Sequence, residues 1–280
     1  MLNDLKKNWY PIASSLDVPK RHVYHAQLLG REFAVWRADD GNVNVWENRC
    51  LHRGVRLSIG INEGTELRCQ YHGWRYANRT AGCTYIPAHP ADAPSRTICN
   101  NTYPVCEFMG MIWSGEEAIG DIPSFKNFDK FTVLRPLPMN AHYDLIKKMV
   151  ISKYSQLNYS VKEEANGAFI VTSGIAQNIL FFVQPQDSNL SVLRGVTNQA
   201  LLGSEKVDFL KKHNRILETL RLEIENISSN IEIDPMVVQI SQVSVELSKI
   251  PEINETGRKA DLRVKVSEKI KTAEGIVSIK

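Results

Sequence analysis

The chain has 280 residues and a formal charge of +3 at pH 7, with 43% hydrophobic and 23% charged residues. Its length admits one large domain or two ordinary ones, and its composition excludes wholesale disorder. So small a positive surplus excludes a nucleic-acid binder of the electrostatic kind. The absence of any run of eighteen apolar residues argues against a membrane span. The opening MLNDLKKNWYPIASSL has no apolar core of leader length, so no export leader is expected.

In chain order, residues 1–118 read as all-β. In REFAVWRADDGNVNVWEN, Phe33 and Val35 are read as alternating with polar positions on an outer face, Asp40-Gly41 supplies a turn, and Val43 and Val45 alternate again, which predicts a hairpin. Two loops with metal-ligand residues follow. NRCLHRG places Cys50 and His52 one residue apart; CQYHGW places Cys69 and His72 two apart, and sixteen residues lie between His52 and Cys69. Four such ligands could hold zinc, but structural zinc sites usually take two cysteines from one knuckle and two histidines from the other. Here each loop offers one of each. A Rieske-type [2Fe–2S] cluster needs that mixture, with two thiolates on one iron and two imidazoles on the other. The favoured ligand set is therefore Cys50, His52, Cys69 and His72, with zinc as the rival.

That use leaves Cys83, Cys99 and Cys106, an odd remainder that points to free thiols in a reducing compartment and a cytoplasmic location. YPVCEFMGMIWSG closes the β region as another apolar strand, and the polar, Gly- and Pro-containing EEAIGDIPSFKNF marks a boundary near residue 120. Strand-like runs follow at GAFIVTSG, NILFFVQP and LSVLRGVTN. A long helix comes next, with Ser204 as N-cap and a stripe of Val207, Leu210, Leu217, Leu220, Ile224 and Ile227. The reading is α+β: an N-terminal β domain over 1–118, then an antiparallel sheet with a long helix over 119–280. Residues 229–280 are mixed and polar and suggest no element, and no internal repeat is evident.

The segments NWYPIASSLDVP, CLHRGVRLSIG, CQYHGWRYANRTAGCTYIPA and YPVCEFMGMIWSG resemble, in order and spacing, the Rieske non-haem iron oxygenases. The resemblance is closest to α subunits that demethylate or hydroxylate small aromatic compounds, and it covers residues 8–118. Leu51 and Gln70 stand where proline is usual. The resemblance implies a helix-grip-like second domain, a trimeric ring, and electrons delivered from NAD(P)H by a reductase or ferredoxin. It also implies a mononuclear iron in the second domain, held by two closely spaced histidines and a carboxylate.

The second region does not supply that motif. Its histidines are His142 and His213, seventy residues apart, with Asn214 and Glu218 near the place of the third ligand. A second domain that keeps its fold without its iron is therefore expected, with no catalytic residue in this chain and with the oxygen-activating iron on a partner oxygenase subunit. Two alternatives stand beside it. In one, a complete oxygenase draws unusual ligands from His142, Asp144, His213, Glu163 or Glu164; in the other, the chain is a redox-sensing regulatory protein. His22, His25 and His89 read as solvated. Arg49, Arg53, Arg56, Arg68 and Arg75 read as salt-bridged scaffold or as a rim that steers an acidic electron donor, and Tyr71 and Trp74 as the walls of the cluster.

Overall fold

A computed structural model describes residues 5–90, 97–118, 124–164, 167–173 and 177–247. The boundary expected near residue 120 falls among residues 119–123, and the tail after Leu247 likewise lies outside the described residues. The chain divides into two compact units, 1–228 and 229–280. The first unit contains both the β region and the sheet that follows it.

Ten strands build the β region: β1 (Tyr10–Ser14), β2 (Val23–Leu28), β3 (Arg31–Arg37), β4 (Val43–Glu47), β5 (Ile61–Asn62), β6 (Glu66–Arg68), β7 (Arg75–Ala77), β8 (Cys83–Tyr85), β9 (Val105–Phe108) and β10 (Met111–Ser114). They form three antiparallel sheets, β1-β10-β9, β2-β3-β4 and β5-β6-β7-β8. The expected hairpin is β3–β4, with Val35 opposite Val45 and Gly41 in the left-handed region at φ +89°.

The middle sheet separates two cores, because neighbouring side chains on a strand point to opposite faces. Phe33, Val35, Val43 and Val45 pack with Ile12, Ala13 and Ile112. Ala34, Trp36 and Trp46 pack with Leu57, Leu67, Tyr76, Cys50 and Cys69. The loops that carry the two cysteines are thus anchored on a core of their own.

The second half contains β11 (Thr132–Val133), β12 (Leu137–Met139), α1 (Tyr143–Gln156), β13 (Ser160–Glu163), β14 (Phe169–Ser173), β15 (Gln177–Asp187), β16 (Leu190–Thr197) and α2 (Gly203–Leu247). The strands form one antiparallel sheet in the order β11-β16-β15-β14-β13, with β12 also on β16. The α+β reading of the sequence therefore holds. NILFFVQP is apolar without alternation because both faces of β15 are covered. Ile179, Phe181 and Val183 face a core shared with Ile146, Val150 and Tyr154 of α1 and Leu217, Leu220 and Ile224 of α2. Leu180 and Phe182 face Met111 and Trp113 of the β region.

The α2 stripe differs from the sequence reading at its start. Val207 is 48% exposed, whereas His213 and Ser228 are buried in line with Leu217, Leu220 and Ile224. Ser204 lies inside the first turn rather than capping it, since the helix begins at Gly203. Among the described residues, no helix is long and apolar enough to cross a membrane.

A buried polar contact joins the sheet of the second half to β1 and β2 of the β region. Arg194, 5% exposed, donates from Nε to Gln184 Oε1 at 2.7 Å and from Nη2 to the Ile12 carbonyl at 2.8 Å, while Gln184 donates to the Gln27 carbonyl at 2.7 Å. Burial lowers the basicity of this guanidinium, and the hydrogen bonds to amide and carbonyl oxygens offset the cost of placing it there.

Candidate metal centre

The two ligand loops are built alike. RCLHRGVR (residues 49–56) and RCQYHGWR (residues 68–75) share the pattern R-C-x-x-x-G-x-R. In the first, Cys50 N–H donates to the Val55 carbonyl at 2.8 Å and Gly54 N–H to the Cys50 carbonyl at 2.8 Å; in the second, Cys69 N–H donates to the Trp74 carbonyl at 2.8 Å and Gly73 N–H to the Cys69 carbonyl at 3.1 Å. Each loop closes on a glycine with positive φ, +68° at Gly54 and +72° at Gly73, where a side chain would strain the turn. The quasi-repeat contradicts the expectation that the sequence holds no internal repeat.

The flanking arginines are tied in the same way. Arg49 and Arg56 both meet Glu32, at 2.8 and 2.6 Å, and the bond from Arg56 chiefly holds the Glu32 carboxyl below the usual carboxylate range. Arg68 and Arg75 both meet Glu63, at 2.7 and 3.6 Å, with Glu66 a further partner of Arg75 at 3.8 Å. The contacts to Glu63 are ionic rather than directed hydrogen bonds, since neither Nε–H finds an acceptor in line. These four arginines clamp the loops. Of the five arginines in the loops, only Arg53 has no carboxylate partner among the described residues, and it is exposed.

Cys50 and Cys69 are buried, at 3% and 2% exposure, while His52 and His72 are exposed with ring centroids 4.6 Å apart. The Trp74 indole stacks on His52 at 5.0 Å and 8°. Tyr71 lies 3.8 Å from the His72 ring but is 60% exposed, so it does not wall the site from water as expected. The Tyr76 hydroxyl sits 3.2 Å from Cys50 Sγ and accepts from Leu51 N–H, also at 3.2 Å, which leaves its own proton free to point at sulfur. Burial pushes the Cys50 thiol up. Partial desolvation, then the neighbouring charges of His52 and Arg53, lower the pKa of His72.

This donor set fits a two-iron cluster. Two buried sulfurs on one side and two imidazoles on the other would give each iron two protein ligands, and a coordinating metal would draw off the thiol protons that burial retains. Among the described residues, no three His, Cys, Asp or Glu side chains close around a single ion. A centre with two protein ligands per iron does not require three. Cys83, Cys99 and Cys106 are unbridged, as are Cys50 and Cys69.

The other titratable residues singled out in the sequence are not brought together. His142 caps α1, its Nδ1 accepting from Asp144 N–H at 3.4 Å. His213 is buried beside Tyr154, whose hydroxyl is 3.1 Å from its Nδ1. Tyr154 stands twelve residues beyond His142, about 18 Å along the helix axis. Glu163 and Glu164 are paired with Lys147 and Lys162 at 2.6 and 2.8 Å. Asn214 and Glu218 line only a shallow dent with Arg135, Leu137 and Leu217. His22 and His89 are exposed as expected, and His25 lies 3.8 Å from Glu32.

Comparison with known proteins agrees with this geometry. The family model for the Rieske [2Fe-2S] domain matches residues 8–125. Oxidoreductase NdmD of Pseudomonas putida is 57% identical over 114 residues, which are 40% of this chain and 19% of that protein. The toluene-4-sulfonate monooxygenase system iron-sulfur subunit TsaM1 of Comamonas testosteroni is 35% identical over 109 residues, 39% of this chain and 30% of that one. The chain thus spans less than a third of either relative. The structure of NdmA from Pseudomonas putida CBB5 shares the fold over 95% of this chain and 89% of its own, with a TM-score of 0.65 and 16% identity. Residues 8–125 thus form a Rieske [2Fe–2S] domain, and the chain shares the fold of NdmA.

Proposed function

We propose that this chain is the electron-relay subunit of a multicomponent oxygenase, divided near residue 118 into a Rieske domain and a second domain without an oxygen-activating iron. Cys50 and Cys69 would hold one iron of the cluster, and His52 and His72 the other. Bound there, a [2Fe–2S] cluster supplies one-electron transfer at a potential raised by its neutral imidazole ligands. The carrying observation is the pair of matched loops, which sets two buried sulfurs and two exposed imidazoles at one tip. The paired arginines keep the loops in register, Trp74 fixes the plane of His52, and Tyr76 addresses sulfur.

The second domain supports a relay rather than a complete enzyme. Its helix-to-sheet space is filled by Phe169, Phe181, Tyr154, Leu217, Leu220 and Ile224, and its two histidines serve as a helix cap and a core partner. The electron would pass to a mononuclear iron on a catalytic partner subunit and would come from a reductase or ferredoxin, in a trimeric ring. Iron and acid-labile sulfide on anaerobically purified protein test this reading. Two of each per chain are expected, and His142→Ala should leave the iron unchanged. Three irons per chain, or loss of one on that substitution, would overturn it.

Tyr76→Phe should lower the reduction potential. The lost O–H···S bond weakens support for the extra negative charge of the reduced state, and a difference of about 1 kcal/mol corresponds to about 40 mV for one electron. A redox titration followed by EPR reads the shift, and an unchanged midpoint would show that the hydroxyl does not address the sulfur.

A further inference from the structure

We propose Asn48 as the positioning residue of the first ligand loop, closing the base of that loop with Ser58 where a strand ladder closes the second. This rests on the reading of the two loops as the cluster site. The loops match at their tips but differ at their bases. The second is the end of a hairpin, in which β6 and β7 pair Arg68 with Arg75, Leu67 with Tyr76 and Glu66 with Ala77. The first is entered from β4 and left through the short 3-10 helix Leu57–Ile59, and among the described residues no ladder joins those two segments.

A two-way side-chain contact takes the ladder's place. Asn48 Nδ2 donates to Ser58 Oγ at 3.0 Å, and Ser58 N–H donates back to Asn48 Oδ1 at 2.7 Å. The Asn48 backbone N–H donates to the Glu32 carbonyl at 3.0 Å, so this bracket stands on the strand whose carboxylate already holds Arg49 and Arg56. Asn48 lies two residues before Cys50, as Leu67 lies two before Cys69, and both side chains are fully buried. A buried amide is costlier than a buried leucine unless its polar atoms are met. Leu67 can be apolar because the backbone around it is paired; at Asn48 the side chain itself spans the gap. A cluster held between two loops leaves when one of them opens. The first loop, with one bracket where the second has a ladder, is the one that Asn48 must keep closed to hold Cys50 and His52 in place.

The test is the rate at which the holoprotein loses its cluster to excess EDTA, followed by visible absorbance, with the EPR line shape of the untreated samples beside it. Asn48→Leu removes both bonds and leaves the Ser58 N–H unmet, and should release the cluster about tenfold faster. Its EPR line should broaden as His52 takes a spread of orientations. Ser58→Ala keeps the N–H bond to Oδ1 and should release the cluster about threefold faster. Ser58→Thr restores the hydroxyl at a half-buried position with room for a methyl group, and should stay within about twofold of the unmodified chain. Asn44→Leu is the control for lost stability alone, since Asn44 is 3% exposed and its partners Asn42, Asn78 and Arg79 lie outside both loops. It should lower the melting temperature while changing release less than about twofold and leaving the line sharp. Equal release from Asn48→Leu and Asn44→Leu, or an unaltered rate and line shape in Asn48→Leu, would overturn the assignment. Should Asn48→Leu fail to fold, the Ser58 variants decide, and equal rates for Ser58→Ala and Ser58→Thr would overturn it. Absence of a Rieske EPR signal from the unmodified chain overturns instead the reading on which the proposal rests.

Discussion

His72→Ala is expected to abolish the Rieske EPR signal while leaving the fold intact, and His52→Ala to do the same. Each iron of such a cluster has only two protein ligands, so losing one opens half of its protein coordination. The fold should survive because both imidazoles are exposed, and the loop turns are closed by Cys50, Gly54, Cys69 and Gly73 backbone bonds that the substitutions do not touch. Far-UV circular dichroism and thermal melting separate the two effects. Tyr71→Ala is the control, since it removes a ring beside His72 without removing a donor atom, and its signal should persist. A normal signal in either histidine variant would sink the ligand assignment.

The proposed donors are legible in the sequence because ligand chemistry is local: a cysteine and a histidine within four residues, twice, supply the ligand types such a cluster needs. Their support is not. Glu32 lies on β3, well before the first loop, yet it ties both ends of that loop, and one-dimensional spacing does not reveal a pairing across strands. The shared R-C-x-x-x-G-x-R pattern was available in the sequence but is eight residues long, far below the period of a repeat architecture. Reading the arginines and glycines with the ligands, rather than the ligands alone, would have found it.

Patterning explains the other differences. The β3 and β4 hairpin was read from alternation, but Trp36 and Trp46 on the supposed outer face are buried, because a sheet between two cores has no wet side. In α2 the apolar stripe of the sequence includes Val207 and omits His213, because counting hydrophobic residues passes over a polar side chain in a core position. Nothing local announces that His213 pairs with Tyr154, fifty-nine residues away. The link through Arg194 and Gln184 was missed for the same reason.

His213 also makes the second domain sensitive to acid. Its ring is 4% exposed, stacked between Phe181 and Phe209 at 5.7 and 5.8 Å, and its Nε2 has no partner among the described residues. Burial therefore lowers its pKa from 6.5 to about 4. In the unfolded chain the imidazole takes up a proton as pH falls below 6.5, while in the folded chain it stays neutral until about 4. The unfolded state binds more protons across that window, so stability present above pH 6.5 is lost progressively down to pH 4. The loss attributable to this residue is about 3 kcal/mol. Urea unfolding at pH 7 and at pH 4 measures the total, and a double variant isolates the histidine. His213→Phe with Tyr154→Phe removes the titrating ring and the hydroxyl it would leave unpaired, and keeps aromatic volume between Phe181 and Phe209. That variant should lose about 3 kcal/mol less than the unmodified chain over the same interval. Equal losses would mean that His213 is solvated in solution and that the acid sensitivity of the domain arises elsewhere.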